Sequence, residues 1–221
     1  MKNFSILVLA FLFGTVISSC GGGKSTDASA TKQVASQNLS EGSIFPEIMY
    51  KTIDGEMLKT QELKGKIVFY NFSFALCQPC IAQKEGLKKL YEAYASDDVL
   101  FVTITFDNVS SFIETNRLVT VQSEYIQSMY DMRFKIISID GDEIGRRFRI
   151  NGYPTNFLVG INGNIVKMKR GIKSFDTATQ ELLAEFLPAI QSELQKIAYL
   201  KEARERLLLG DKWLQKLKSE K

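Results

Sequence analysis

The chain has 221 residues, 45% hydrophobic and 24% charged, with 28 basic and 25 acidic side chains. That length fits one domain with appendages, the apolar content supports a real core, and the near-balanced charge argues against nucleic acid as a partner. With no histidine and only three cysteines, no Ser-His-Asp or Cys-His nucleophile, imidazole-ligated metal or all-cysteine zinc site can be built. No metal or organic cofactor is expected. Any chemistry must rest on carboxylates, lysines, hydroxyls or the cysteines.

Lys2 precedes an apolar run from Phe4 to Ile17. The run is short for a membrane span of about 20 residues but right for a signal-peptide core. It ends in Ile17-Ser18-Ser19-Cys20, which resembles the bacterial lipoprotein box, where small residues precede a lipidated cysteine. Residues 1–19 are therefore read as the signal peptide and Cys20 as the lipidation site, ahead of plain secretory cleavage or an uncleaved anchor. On either cleaved reading the mature chain works outside the cytoplasm (in the periplasm), where disulfide chemistry is available. Residues 20–42 carry Gly21-Gly22-Gly23 and a Ser/Thr/Ala/Gln/Asn-rich stretch. Such a segment cannot repay its ordering entropy and reads as a tether, reaching about 25 Å as a flexible coil. Gly23-Lys24-Ser25 ends like a phosphate-binding loop, but Ser18 stands where the first glycine belongs. That site is rejected.

The pattern turns globular near Ile44. Ile48 to Ile53 predicts a short strand with Asp54-Gly55 as its turn, and Thr60 to Lys64 a helical turn stopped by Gly65. Lys66 to Phe74 is a nearly continuous apolar run, expected of a strand buried on both faces. Residues 80 to 95 switch to helical spacing, with Leu87, Leu90, Tyr91 and Tyr94 on one stripe. Val99 to Phe106 is a second buried strand. Ser111 and Glu114 form a capping box for a helix running to about Met132. Phe134 to Ile139 predicts a strand and Glu143 to Arg149 a short helix. Thr155 to Val159 and Ile165 to Met168 predict a hairpin around Asn162-Gly163, and the chain after Gly171 reads as helix. Strands alternating with helices argue for an α/β domain with a mixed sheet.

The chemistry falls between the first buried strand and its helix, at Cys77-Gln78-Pro79-Cys80. A cysteine at a helix N-terminus meets unpaired N–H groups and the positive end of the helix dipole, which favour thiolate. The second cysteine, one turn in, can close on the first, and Pro79 suits the first turn because its missing N–H would be unpaired anyway. Cys77 is therefore expected to attack, with an accessible sulfur, and Cys80 to resolve the mixed disulfide. A static disulfide, the competing reading, would more often join distant segments, where loop closure stabilises more.

Taken with Phe45-Pro46, Leu63-Lys64-Gly65-Lys66, Asn71-Phe72, Gly152-Tyr153-Pro154-Thr155 and Asn162-Gly163, the motif resembles the TlpA/ResA-like membrane-anchored thiol–disulfide oxidoreductases. The similarity runs over roughly residues 43–187, which implies a thioredoxin-like domain: a central mixed β-sheet flanked by helices. Residues 188–221 would then be an added helical extension. The resemblance implies a cis peptide bond at Pro154, lying against the disulfide, and a Tyr153 backbone that pairs with the substrate chain. It also implies reduction rather than oxidation, protein disulfides such as those of apocytochromes as substrates, and a membrane dithiol as electron donor.

The departures from that pattern concern potential and partner. Leu76 and Ser73 stand where aromatics are usual, Gln83 and Gly86 where an acid and a proline are common, and Gln78 where some relatives carry Glu. Glu85 is read as part of a solvated helix face rather than as a site carboxylate. A peroxiredoxin is disfavoured because Phe74 replaces the threonine three residues before its reactive cysteine. The remaining alternative is a non-enzymatic binding or assembly lipoprotein that uses the domain as a scaffold. Its argument is the tail, with Ile190, Leu194, Ile197, Leu207, Leu208, Trp213, Leu214 and Leu217 at largely helical spacing. Packing of these residues on their own domain is preferred to a partner surface.

Overall fold

The computed structural model describes residues 39–107 and 124–219. Its centre is strand β3 (Ile67–Phe72), in which every residue is buried, as the continuous apolar run predicts. On one side β3 pairs in parallel with β4 (Val99–Thr105), which pairs in parallel with β5 (Lys135–Ser138). On the other it pairs antiparallel with β6 (Thr155–Val159), which turns back into β7 (Ile165–Arg170). The sheet order is β5-β4-β3-β6-β7.

Alternation along β3 divides the core into two layers. Ile67 and Phe69 face a layer that holds α1 (Gln78–Ala82), α2 (Lys84–Tyr94), α3 (Glu124–Asp131) and the first part of α5 (Ala178–Ser219). Val68, Tyr70 and Phe72 face the other, against Phe45, Phe157 and α4 (Gly141–Phe148). Aromatics fill both layers. Phe69 meets Phe186 of α5 edge-on at 4.9 Å, and Tyr70 stacks on Phe45 at 4.2 Å.

Two expected elements differ. The single strand expected from Ile48 is a small hairpin, β1 (Met49–Lys51) against β2 (Met57–Lys59). The Thr52 hydroxyl bonds both the Asp54 carboxylate and the Glu56 carbonyl, and Gly55 takes φ +90°, so the chain reverses before a longer strand can form. The helix expected over 80–95 begins earlier, with Cys77 as N-cap of α1, and is interrupted at Gln83. The Ser111–Glu114 capping box lies outside the described residues; α3 covers only the end of the helix expected there.

Helix α5 runs without a break through Pro188. Its first half packs on the sheet through Leu182, Phe186, Ile190 and Ile197, with Leu194 partly buried. Gly86 of α2 lets that contact close: a Cβ there would lie 3.1 Å from Leu182 and 3.3 Å from the Thr179 backbone. The buried Glu193 accepts the Ile161 N–H (3.3 Å) and so ties α5 to the β6–β7 turn. The tail expectation fails beyond that point. Leu207, Leu208 and Trp213 are exposed, while the buried residues of α5 end at Ile197; the side chains of Leu214 and Leu217 lie outside the described residues.

The start of α5 is held by one carboxylate. Glu181 takes hydrogen bonds from Lys169 Nζ (2.8 Å), Thr177 Oγ1 (2.6 Å) and the N–H groups of Lys173 (3.0 Å) and Ser174 (3.2 Å). Those donors, the Lys169 ammonium first, pull its pKa down to about 2. A carboxylate depressed on folding stabilises the protein above its unfolded range near 4.3 and stops doing so as pH falls through the folded value. Thermal melts should therefore lose stability between roughly pH 4.5 and 2, more steeply in the parent than in Glu181→Gln. Parallel pH profiles for the two would refute this assignment.

Candidate active site

The first cysteine is placed by strand geometry. At the end of β3 the chain leaves the sheet at Ser73, and the Cys77 N–H returns to the Phe74 carbonyl (3.2 Å), a tight turn that delivers Cys77 to the start of α1. There Cys77 acts as the N-cap, and its Sγ accepts the Cys80 N–H at 3.2 Å. Gln78 and Pro79 fill the first helical turn, Gln78 exposed and Pro79 half-buried. Cys77 and Cys80 are joined as a disulfide. A sulfur that already receives a backbone N–H at a helix start is well placed to carry negative charge.

Exposure departs from expectation. Cys77 is 3% exposed, little more than Cys80 at 0%. Phe74 and Ala75 of the loop before the helix and Tyr153 of the loop before β6 pack against the core cluster that contains both cysteines. The Phe74 ring meets Tyr153 edge-on at 5.3 Å, and Phe106 lies 5.0 Å from Phe74 and 5.6 Å from Tyr153. The Tyr153–Pro154 bond is cis, as the resemblance implied. Pro154 is buried, and its carbonyl accepts the Gly171 N–H at 2.7 Å. Leu76, 56% exposed, projects from the rim.

Two features escape sequence reasoning. Asp107, just beyond β4, accepts the Ala75 N–H (2.8 Å) and the Thr105 hydroxyl (2.6 Å), fixing the loop that carries Cys77. Its charge, after burial, raises the Tyr153 phenol pKa. The signal available was its position at the carboxyl ends of the parallel strands, where sites in such sheets form. The second feature is a buried polar chain. Asn71 Nδ2 donates to Asn156 Oδ1 (2.8 Å), and Asn156 Nδ2 donates to Gln83 Oε1 (2.9 Å). Ser73 and Tyr125 hydroxyls donate to Asn71 Oδ1 at 2.8 and 3.1 Å. Gln83 sits at the α1–α2 junction, and its N–H bonds the Cys80 carbonyl (3.1 Å), so the chain ends at the cysteine helix. Glu85 is exposed, as the solvated-face reading expects. Cys20 lies outside the described residues. No cluster able to hold a metal ion occurs among the described residues.

A cysteine pair at the start of the helix that follows the central strand of a thioredoxin-like sheet defines a thiol–disulfide oxidoreductase. The chain belongs to the AhpC/TSA family, whose profile matches residues 42–168. It is similar to the thiol-disulfide oxidoreductase ResA of Bacillus thuringiensis subsp. konkukian, 24% identical over 154 residues that span 70% of this chain and 80% of that one. The thioredoxin-like protein YneN of Bacillus subtilis is 28% identical over 144 residues, 65% of this chain and 79% of its own. The crystal structure of a thioredoxin-family thiol:disulfide interchange protein from Chlorobium tepidum TLS superposes with a TM-score of 0.50 at 21% identity. It covers 70% of this chain and 98% of its own, and shows the shared fold.

Proposed function

We propose that the protein is a lipid-anchored, extracytoplasmic reductant of protein disulfides. The observation that carries this reading is Cys77 Sγ at the N-cap of α1, receiving the Cys80 N–H at 3.2 Å, with its partner sulfur one turn inside. In the dithiol form the Cys77 thiolate attacks one sulfur of a substrate disulfide. That S–S bond breaks, a mixed disulfide forms, and the first substrate sulfur leaves as a thiolate that takes a proton. Cys80 then loses its proton and attacks Cys77 Sγ, releasing the second substrate thiolate. The substrate has gained two electrons and the pair is oxidised to the Cys77–Cys80 disulfide. A membrane dithiol returns it to the reduced form.

The residue before Pro154 gives the substrate a place to lie. Tyr153 precedes β6 at the cysteine end of the sheet, and its backbone is the proposed pairing edge for the substrate chain, apocytochromes among the candidates. The similarity to proteins named thiol-disulfide oxidoreductase supports the reaction class. The anchor is assigned to Cys20 because the apolar run Phe4–Ile17 ends in the lipoprotein-like Ile17-Ser18-Ser19-Cys20 sequence. Cys20→Ala should release the protein from membranes or leave its signal uncleaved; unchanged processing and fractionation would remove the anchor from this reading.

Direction is tested by the potential of the pair and by an insulin-type reduction assay. A reductant should lie below about −200 mV, nearer thioredoxin than the strong oxidants. A value near −120 mV would make the protein an oxidant, since about 30 mV is 1.4 kcal/mol for this two-electron couple. Failure to reduce insulin at a low potential would instead favour the scaffold alternative.

A further inference from the structure

The last half of α5 leaves most of its described large apolar side chains exposed. Past Ile197, residues 198–219 continue for about 33 Å at 1.5 Å per residue, with the Lys201–Asp98 ion pair (2.6 Å) near the start of this stretch. This stretch exposes Tyr199, Leu200, Leu207, Leu208, Leu209 and Trp213, with Leu207 at 72% and Trp213 at 62%. Apolar exposure on that scale marks a surface meant to be covered.

The arrangement selects the cover. At 100° per residue, Leu209, Trp213, Tyr199, Leu207 and Leu200 fall within an arc of roughly 180°, with Gly210 and Ala203 between them. Of the three charges within that arc, Arg206 and Glu202 pair with each other at 2.7 Å, and Lys218 lies at its edge in line with Leu200. The opposite arc carries Lys201, Arg204 and Lys212 against Glu205 and Asp211, and only Leu208 breaks its polarity. Residues 198–221 hold seven basic and four acidic side chains, a net +3 that equals the formal charge of the whole chain. A helical partner from a second copy would need a narrow heptad seam. The heptad seam through Leu200, Ala203, Leu207, Gly210, Leu214 and Leu217 has small residues at two of its six positions, and Tyr199, Leu209 and Trp213 fall off it and would stay uncovered. A broad apolar face with a tryptophan and a cationic back is the pattern of a helix lying in a membrane interface.

We propose that residues 198–219 dock on the surface of an anionic lipid bilayer, with the Leu207–Trp213 face sunk into the headgroup boundary. This holds independently of the thiol chemistry, since neither cysteine of the pair takes part. Trp213 is the chain's single tryptophan, so its emission reports on this segment alone, whatever the first 42 residues do. With the full chain and vesicles of mixed phosphatidylglycerol and phosphatidylcholine, the emission should shift to the blue and become shielded from iodide. Pure phosphatidylcholine vesicles should give at least tenfold weaker partitioning. Arg204→Gln combined with Lys212→Gln should weaken binding to the anionic vesicles by about tenfold or more, since each cation near such a surface matters by roughly fivefold. Leu207→Glu with Leu209→Glu should abolish the shift. These positions are exposed, so the fold tolerates the changes, and the lipid-composition series on the parent chain needs no variant. No shift with anionic vesicles would overturn the proposal, as would equal shifts with both lipids. A blue shift that grows with protein concentration without lipid, together with sedimentation as a dimer, would overturn it in favour of a second copy.

Discussion

Cys80→Ser is expected to accumulate a mixed disulfide between Cys77 and substrate or donor proteins, whereas Cys77→Ser should trap little. The asymmetry follows from the helix start. Cys77 Sγ caps α1 and accepts the Cys80 N–H, so its thiolate is stabilised where it stands. Cys80 lies inside the first turn with no exposed surface, placed to attack Cys77 Sγ rather than a substrate sulfur. Both sulfurs are covered in the disulfide form, at 3% and 0%. Substrate can therefore reach Cys77 only after the sulfur gains exposure that this form lacks. A non-reducing gel of tagged variants from native membranes reads the result. Equal trapping by both variants would break the division of roles, and no adduct from either would leave the disulfide as a brace in a binding domain.

The parts of this site that depend on one stretch of chain were legible in the sequence. The unbroken apolar run Ile67–Phe72 announced a strand buried on both faces, the Cys-x-x-Cys after it announced the helix start, and Asn162-Gly163 announced the closing hairpin. What depends on two distant stretches was not. Nothing local in Asn71 or Asn156 marks them as opposite each other in the β3–β6 register, with both side chains on one face. Asp107 bears on the site only through the fold, which brings its carboxylate to the Ala75 N–H across 32 residues of chain. The tail shows the limit of periodicity most clearly. Ile190 and Ile197 share their spacing with the leucines beyond them, yet the first two are buried and Leu207 is not. Spacing gives a face; what the fold places beneath it decides which part of that face is buried.

The buried polar chain should be the most sensitive part of the interior. Asn156 is its hinge, accepting from Asn71 Nδ2 and donating to Gln83 Oε1 with no exposed surface. Asn156→Leu strands both partners in the core, a donor on β3 and an acceptor at the α1–α2 junction. Each buried orphan costs about 1–3 kcal/mol, so the variant should lose roughly 2–6 kcal/mol. Gln83→Leu is the informative contrast. The Gln83 Nε2 already has no partner among the described residues, so removing the side chain strands only Asn156 Nδ2 and removes one existing orphan. Its loss should be about 1 kcal/mol or less. Urea midpoints at unchanged slope would measure both. Because the chain ends at the helix that carries Cys80, Asn156→Leu should also slow disulfide exchange at urea concentrations well below its midpoint. A larger loss in Gln83→Leu than in Asn156→Leu would mean that the stability resides in packing around Gln83 and not in the hydrogen bonds of the chain.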